Sequence, residues 1–306
     1  MGKKSLDSFE NLLSVAFART RERFISFFLT NVILYVLIFV TFLLGVLVLV
    51  VVSALTAGGT PSLLAFFLRA VAIIAFALAF WYVVSWGSLT TIAIIAEREK
   101  IGVIDAYKKT QPLTWRYMWI YLLYGLFIIG LIPSGIVLLL IPFIVWSIWG
   151  SFFVFVYLDQ RKTGLENLWI SRAMVNQNFW GVTVRLFLMV VALIAIFIII
   201  VLSRNGFLIA LWQIVNTLFI APLLVSFTHT IYTQLDRVES AKAPKVWVIA
   251  SLVGLVILVL VSGFMINVIL KRLPTILNKQ YQQQLQQQYQ KLPLPSETIP
   301  YGQEAI

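Results

Sequence analysis

From residue 24 to residue 270 the chain alternates long, almost uncharged apolar runs with short basic segments, and this alternation sets narrow limits on its fold. A helix that crosses the hydrocarbon core of a bilayer needs about 20 mostly apolar residues. Runs at 25–55, 63–91, 184–203, 207–232 and 246–270 meet that length. With 61% hydrophobic residues, 11% charged residues and a mean hydropathy of +0.96, the chain carries more apolar surface than a water-soluble core of its size can hide. The stretch 118–158 has no charge at all and is too long for one ordinary span. Proline removes a backbone donor and glycine tolerates a bend, so Pro133 with the Ser134-Gly135 pair, and Pro142, offer breaks. Two crossings, 118–140 and 143–158, with a turn near Ile141-Pro142, are expected.

The basic residues support that division. Lys and Arg concentrate in cytoplasmic loops. Lys3, Lys4, Arg19, Arg21 and Arg23 form the first basic segment, and Arg98, Lys100, Lys108, Lys109 and Arg116 the second. Arg161, Lys162, Arg172 and Arg185 make the third, and Arg237, Lys242 and Lys245 the fourth. If 118–158 crosses twice, all four segments lie on one side and hold most of the 23 Lys and Arg residues. The expectation is an all-α polytopic membrane protein with about seven transmembrane helices, its N-terminus cytoplasmic and its C-terminus outside. Its place is a cell membrane, the cytoplasmic membrane of a prokaryote.

A net charge of +11 distributed in this way marks topology and attraction to anionic headgroups; no nucleic-acid partner is expected. The absence of cysteine excludes disulfides, thiolate metal sites and cysteine-linked lipid anchors. A polar amphipathic stretch precedes the first apolar run, which is not the pattern of a cleavable signal.

The segments before the first, third and fifth spans resemble one another. Each opens on an apolar residue and an acid, Phe9-Glu10, Ile104-Asp105 and Leu165-Glu166. Fourteen residues beyond each acid stands an aromatic, Phe24, Trp119 or Trp180. Phe9, Leu12, Leu13, Ala16 and Phe17 form a helical stripe in the first copy, and Leu165, Leu168, Trp169 and Ala173 repeat its offsets in the third. Lys108, Gln111 and Pro112 interrupt the second. Interfacial elbow helices are expected near 8–22, 101–116 and 164–178, each leading into a two-span hairpin, with a seventh span after the three units. The acid near each helix start faces the positive end of its dipole. Arg19, Arg21, Arg23, Lys108, Lys109, Arg116, Arg161, Lys162 and Arg172 are the expected contacts to lipid headgroups. Phe24, Trp115, Trp119 and Trp180 are the expected interface anchors.

The segment EKIGVIDAYKKT at 99–110, with Trp115, resembles the first signature of the membrane domain associated with glycerophosphodiester phosphodiesterases. LLLIPFIVWSIWGSFFVFVYLDQ and GLENLWISRAMVNQNFW, within 138–180, resemble its second signature. The likeness covers about residues 1–235. It departs at Phe143 and Gln177, where the family tends to have glycine. In fused members the phosphodiesterase chemistry belongs to a separate soluble α/β barrel with paired histidines and metal-binding carboxylates. This chain has no room for that barrel and a single histidine, His229, so the resemblance implies a fold and no catalytic residue.

No acid falls inside any expected span, so proton- or sodium-coupled transport lacks its usual carrier. Arg69, Arg185 and Arg204 stand near span ends, where long side chains snorkel. His229 is expected to be solvated or hydrogen-bonded, and Glu97, Glu99 and Asp105 to form a solvated charged face. Asn31, Gln213, Asn216, Asn267, Ser85, Ser88, Thr90 and Thr91 either line a cavity or hydrogen-bond between helices, and Gln213, Asn216 and Pro222 mark the possible cavity. Gly45, Gly87, Gly150, Gly254 and Gly263 permit close helix approach without a GxxxG pair. Residues 236–270 read as a basic loop and the last span, and 271–306 as a Gln- and Pro-rich extracytoplasmic tail, either a short helix or disordered. No catalytic, metal or cofactor site is expected. The residues point to a non-enzymatic integral membrane protein, a lipid-handling or complex-organising module with anionic lipids and a membrane-protein partner or second copy as its company. A permease-like transporter of an amphiphilic or small substrate is the alternative.

Overall fold

The computed structural model describes residues 6–56, 63–97, 99–133 and 141–291, with the side chains at 270 and 272–291 excluded. The described residues are helical and contain no strand. Seven helices are long and apolar enough to cross a membrane, and the chain is an integral membrane protein.

α1 (Phe9–Glu22) begins on Ser8, whose hydroxyl accepts from the Asn11 amide at 3.3 Å, with Glu10 in the first turn. α2 (Phe24–Leu55) and α3 (Leu63–Ala96) form the first hairpin, and Arg69 Nε donates to Thr56 Oγ1 at 2.8 Å across its far end. α4 (Val103–Gly130) packs along α3. The fourth span is α5 (Ile141–Gly150) followed by α6 (Phe153–Gln160), jointed at Ser151-Phe152. α7 (Glu166–Gln177) leads into α8 (Phe179–Leu202). The sixth span is α9 (Gly206–Val215), a π-helical turn over Asn216–Ile220, and α10 (Ala221–Gln234), with Pro222 in its first turn. α11 (Lys245–Lys291) is the seventh.

Two boundaries differ from those the sequence implied. α4 ends at Gly130, short of the expected 140, and the expected turn at Ile141-Pro142 is instead the start of α5; residues 134–140 lie outside the described residues, and a second joint follows at Ser151. The Gln-rich tail continues the backbone of α11 as far as Lys291 rather than forming a separate helix, while Pro293 and Pro295 lie outside the described residues.

The elbows differ among themselves. α1 is a separate helix, yet most of its stripe faces protein: Leu12 and Ala16 are fully buried against Phe227 and Ile231 of α10, and Phe9 packs edge-on to Phe227 at 5.6 Å, while Phe17 stays exposed. α7 is buried on most sides, with Asn167, Leu168, Trp169, Ile170, Ser171, Met174 and Val175 inside, packed against α5 and α6. The elbow expected at 101–116 is not a separate helix; those residues open α4, which runs on through Pro112. The cause is local. Arg23 and Asn178 hold non-helical backbone angles where α1 and α7 end, whereas Tyr117 and Met118 occupy that place in α4, apolar and buried in a continuous helix.

The second to fourth helices are tied by polar side chains rather than small-residue seams alone. Thr90 and Thr110 join their hydroxyls at 2.7 Å, Trp86 Nε1 donates to the Tyr107 carbonyl at 3.0 Å, and the Tyr107 hydroxyl donates to the Thr30 carbonyl at 3.0 Å. α11 crosses α4 at Gly130 and Gly254, so closely that a Cβ on Gly254 would collide with the Gly130 carbonyl oxygen. Ser251 Oγ donates to the Phe127 carbonyl at 2.9 Å beside that crossing.

Candidate functional site

One residue from each of the four basic segments, Arg19, Lys109, Arg161 and Arg237, lines a single cavity of about 860 Å³. The four segments therefore meet at one end of the bundle. α1 contributes Arg19, the α3–α4 connection Glu97, Glu99 and Ile101, α4 Lys109, Thr110 and Leu113, α6 Phe155, Leu158 and Asp159, and α10 His229, Tyr232 and Thr233. The wall is mixed by design of the chain: charges stand at the helix ends, and Phe155, Leu158, Leu113 and Ala93 one turn further in.

Its charges are partly matched. Lys109 pairs with Glu97, and Arg237 Nη2 lies 3.1 Å from Asp159 Oδ2. The Tyr232 hydroxyl donates to the same Asp159 oxygen at 3.1 Å. Arg19 donates through Nη1 to His229 Nδ1, which assigns the His229 proton to Nε2. The His229 ring also meets Phe155 edge-on at 5.2 Å. Burial, then the neighbouring Arg23 charge, lowers the pKa of Arg19 from the usual guanidinium value without depriving it of its proton. Among the described residues Arg19 and Arg161 have no carboxylate within salt-bridge distance. A guest in the cavity would meet those two guanidiniums and the Glu99 carboxylate outside any ion pair among the described residues. Arg161 is exposed and sits in the left-handed region, φ 56°, at the end of α6.

The other expected headgroup residues divide. Arg21, Lys108 and Arg116 are exposed outside the cavity, and Lys162 pairs with Glu166 one helical turn away at 3.2 Å. Arg23 is buried, 5% exposed, and donates to the Ile94 carbonyl and at 3.5 Å to that of Ile95. It caps the carbonyl end of α3 instead of reaching a headgroup, because the chain turns there between α1 and α2 and brings its side chain inward. Arg172 is half-buried with its guanidinium over the Trp149 ring at 4.9 Å, and burial lowers its pKa. Trp115, Trp119 and Trp180 point outward, whereas Phe24 stacks on Phe219 at 4.8 Å. Arg185, placed by sequence as a snorkelling residue, donates from Nε to the Asp7 carbonyl at 2.8 Å and from Nη2 to that of Leu6 at 2.9 Å. It fastens the N-terminal segment.

Gln213, Asn216 and Pro222 line neither this cavity nor the one between α3, α4 and the fourth span. Gln213 is exposed, Asn216 opens the π-helical turn, and Pro222 is buried at the start of α10. A second intramembrane cavity lies elsewhere, about 510 Å³ between α3, α4 and the α5–α6 span. It is lined by Trp81, Ser85, Ser88, Tyr117, Tyr121, Tyr124, Ser147, Gly150 and Ser151, among others. Between the two cavities Leu89, Tyr117, Ile120, Phe153, Val154 and Tyr157 pack tightly. The Tyr157 hydroxyl donates to the Leu113 carbonyl at 2.8 Å in that barrier. Tyr117, Tyr121, Tyr124 and Phe127 recur at helical spacing on α4 and meet Trp146, Phe153 and Tyr157 across the seam, a pattern of aromatics at steps of three and four residues that is visible in the chain. Asp159, which pairs with Arg237 of the fourth basic segment rather than with the nearby Arg161, is a site residue that sequence reasoning passed over.

No family model, no curated protein and no solved structure matches the chain.

Proposed function

We propose that this protein is a non-enzymatic lipid-handling module of the cell membrane, with its basic end cytoplasmic and the cavity there holding the headgroup of an anionic lipid. The observation that carries the reading is the convergence of Arg19, Lys109, Arg161 and Arg237 on one cavity whose inner wall is apolar. A phosphate-bearing headgroup finds two unmatched guanidiniums there, and its acyl part finds Phe155, Leu158 and Leu113. The likeness of residues 1–235 to the membrane domain found beside glycerophosphodiester phosphodiesterases is in keeping with this reading and is offered with it. A second reading, a permease for an amphiphile, is favoured by one observation: both cavities lie along the same three walls, α3, α4 and α5–α6. It requires the Tyr117–Tyr157 barrier to open.

Native mass spectrometry of the detergent-purified protein tests the first reading. Phosphatidylglycerol should be retained in preference to phosphatidylcholine, and Arg161→Gln should cut that preference by about fivefold, the worth of roughly 1 kcal/mol per cationic contact. Lys108→Gln and Arg116→Gln, outside the cavity, should change it less. Equal retention of both lipids, or indifference to Arg161→Gln, would overturn the proposal.

A further inference from the structure

The second cavity has a chemistry of its own. No ionised side chain lines it; its polar groups are hydroxyls, from Ser85 and Ser88 on α3, Tyr117, Tyr121 and Tyr124 on α4, and Ser147 and Ser151 on the fourth span. Ser147 and Ser151 spend their protons on carbonyls of their own helix, Phe143 and Ser147, each at 2.9 Å. The five remaining hydroxyls have no hydrogen-bond partner among the described residues. The Tyr117 and Tyr121 rings lie 5.8 Å apart, and the Tyr121 and Tyr124 rings both pack on Phe153, at 6.1 and 4.9 Å. The Tyr124 hydroxyl lies over Gly150, where a Cβ would collide with it; the glycine makes the space the phenol occupies. Of the five residues only Ser85 and Tyr117 are buried, and none of the five oxygens is sealed away without a partner; O–H donors that open onto one cavity suit acceptors brought by a guest.

The walls say what kind. Trp81, Tyr121, Tyr124 and Phe153 supply aromatic faces and edges, and Ile92, Val84 and Val154 the rest. The α3 residues Trp81 to Ser88 lie eight to fifteen positions from Ala96, on the order of 12–22 Å along the helix, inside its membrane-spanning stretch. A charged guest is excluded at that depth by its desolvation cost, for which the cavity has no counter-charge. Tyr121 is 49% exposed, so the cavity is reached from the side, through the lipid-facing surface.

We propose that this cavity binds an uncharged, lipid-soluble molecule through its carbonyl oxygens, which accept from the tyrosine and serine hydroxyls while its tail runs out into the bilayer. Two membrane constituents carry that chemistry, the ring of a quinone and the ester carbonyls of a diacylglycerol. The site is separate from the headgroup cavity, which the Tyr117–Tyr157 barrier closes off.

The test uses the full chain in nanodiscs of phosphatidylcholine doped with either a prenylated quinone or dioleoylglycerol, read by native mass spectrometry and by thermal unfolding. At least one of the two should bind at one copy per chain and raise the unfolding temperature; which one does identifies the source. Ser88→Phe, filling the cavity, should abolish that binding while leaving phosphatidylglycerol retention unchanged. Tyr124→Phe removes one donor without changing the packing and should weaken binding by roughly fivefold. If neither ligand binds, or if binding survives both substitutions in folded protein, the proposal is wrong. Arg161→Gln should leave this binding intact, so failure of the headgroup reading is distinguishable from failure here.

Discussion

Arg23 shows how the same residue type takes opposite roles within one basic segment. Arg19, Arg21 and Arg23 stand at every second position, and nothing in their spacing separates them. The turn at the end of α1 sends Arg23 inward to the last carbonyls of α3, leaves Arg19 on the cavity wall, and points Arg21 outward. Hydrogen bonds from a charged donor contribute about 1.5–3 kcal/mol, and a buried one is missed more than an exposed one. Arg23→Gln should therefore lower the stability of the detergent-solubilised protein by that amount in thermal unfolding, with no change in lipid selectivity. A selective loss of anionic lipid at unchanged stability would return Arg23 to the headgroup set.

Amphipathic stripes do not name their partner. In α1 the apolar positions Leu12, Leu13 and Ala16 were legible, and the helix starts where Ser8 and Glu10 say it does. What the stripe meets is decided by α10, which lies far along the chain and brings Phe227 and Ile231 to it. Removing a fully buried leucine from such a contact costs about 2–5 kcal/mol. Leu12→Ala should destabilise the fold on that scale, whereas Phe17→Ala, at a side chain 62% exposed, should cost less than about 0.5 kcal/mol. Equal small losses from both would mean that α1 rests on lipid and not on α10. The missing elbow in α4 has the same moral. Pro112 weakens the helix by removing one donor, but buried Thr110, Thr114 and Tyr117 hold both sides of it against α3 and the fourth span.

Seven spans with the four basic segments converging on one cavity make a bundle whose burial is uneven. The third and fourth spans are its inner members, while α8 buries only Val182 and Met189, and α9 buries nothing. Because the chain lacks cysteine, single introduced cysteines report topology cleanly. Lys108→Cys and Lys162→Cys should both be labelled by an impermeant maleimide from the same face of sealed vesicles, and labelling from opposite faces would refute the arrangement. The span count, the doubling of the uncharged stretch and the shared side of the basic segments were set by the chain alone. Hydrocarbon imposes its length requirement on each run locally, and the charges between runs need no tertiary partner to be counted. The two cavities and the inward turn of Arg23 were not available at that level. Each depends on which helices become neighbours, and between helices in lipid that choice rests on side-chain packing and a few hydrogen bonds between residues distant in sequence, as Thr90 with Thr110 and Gly130 with Gly254 illustrate.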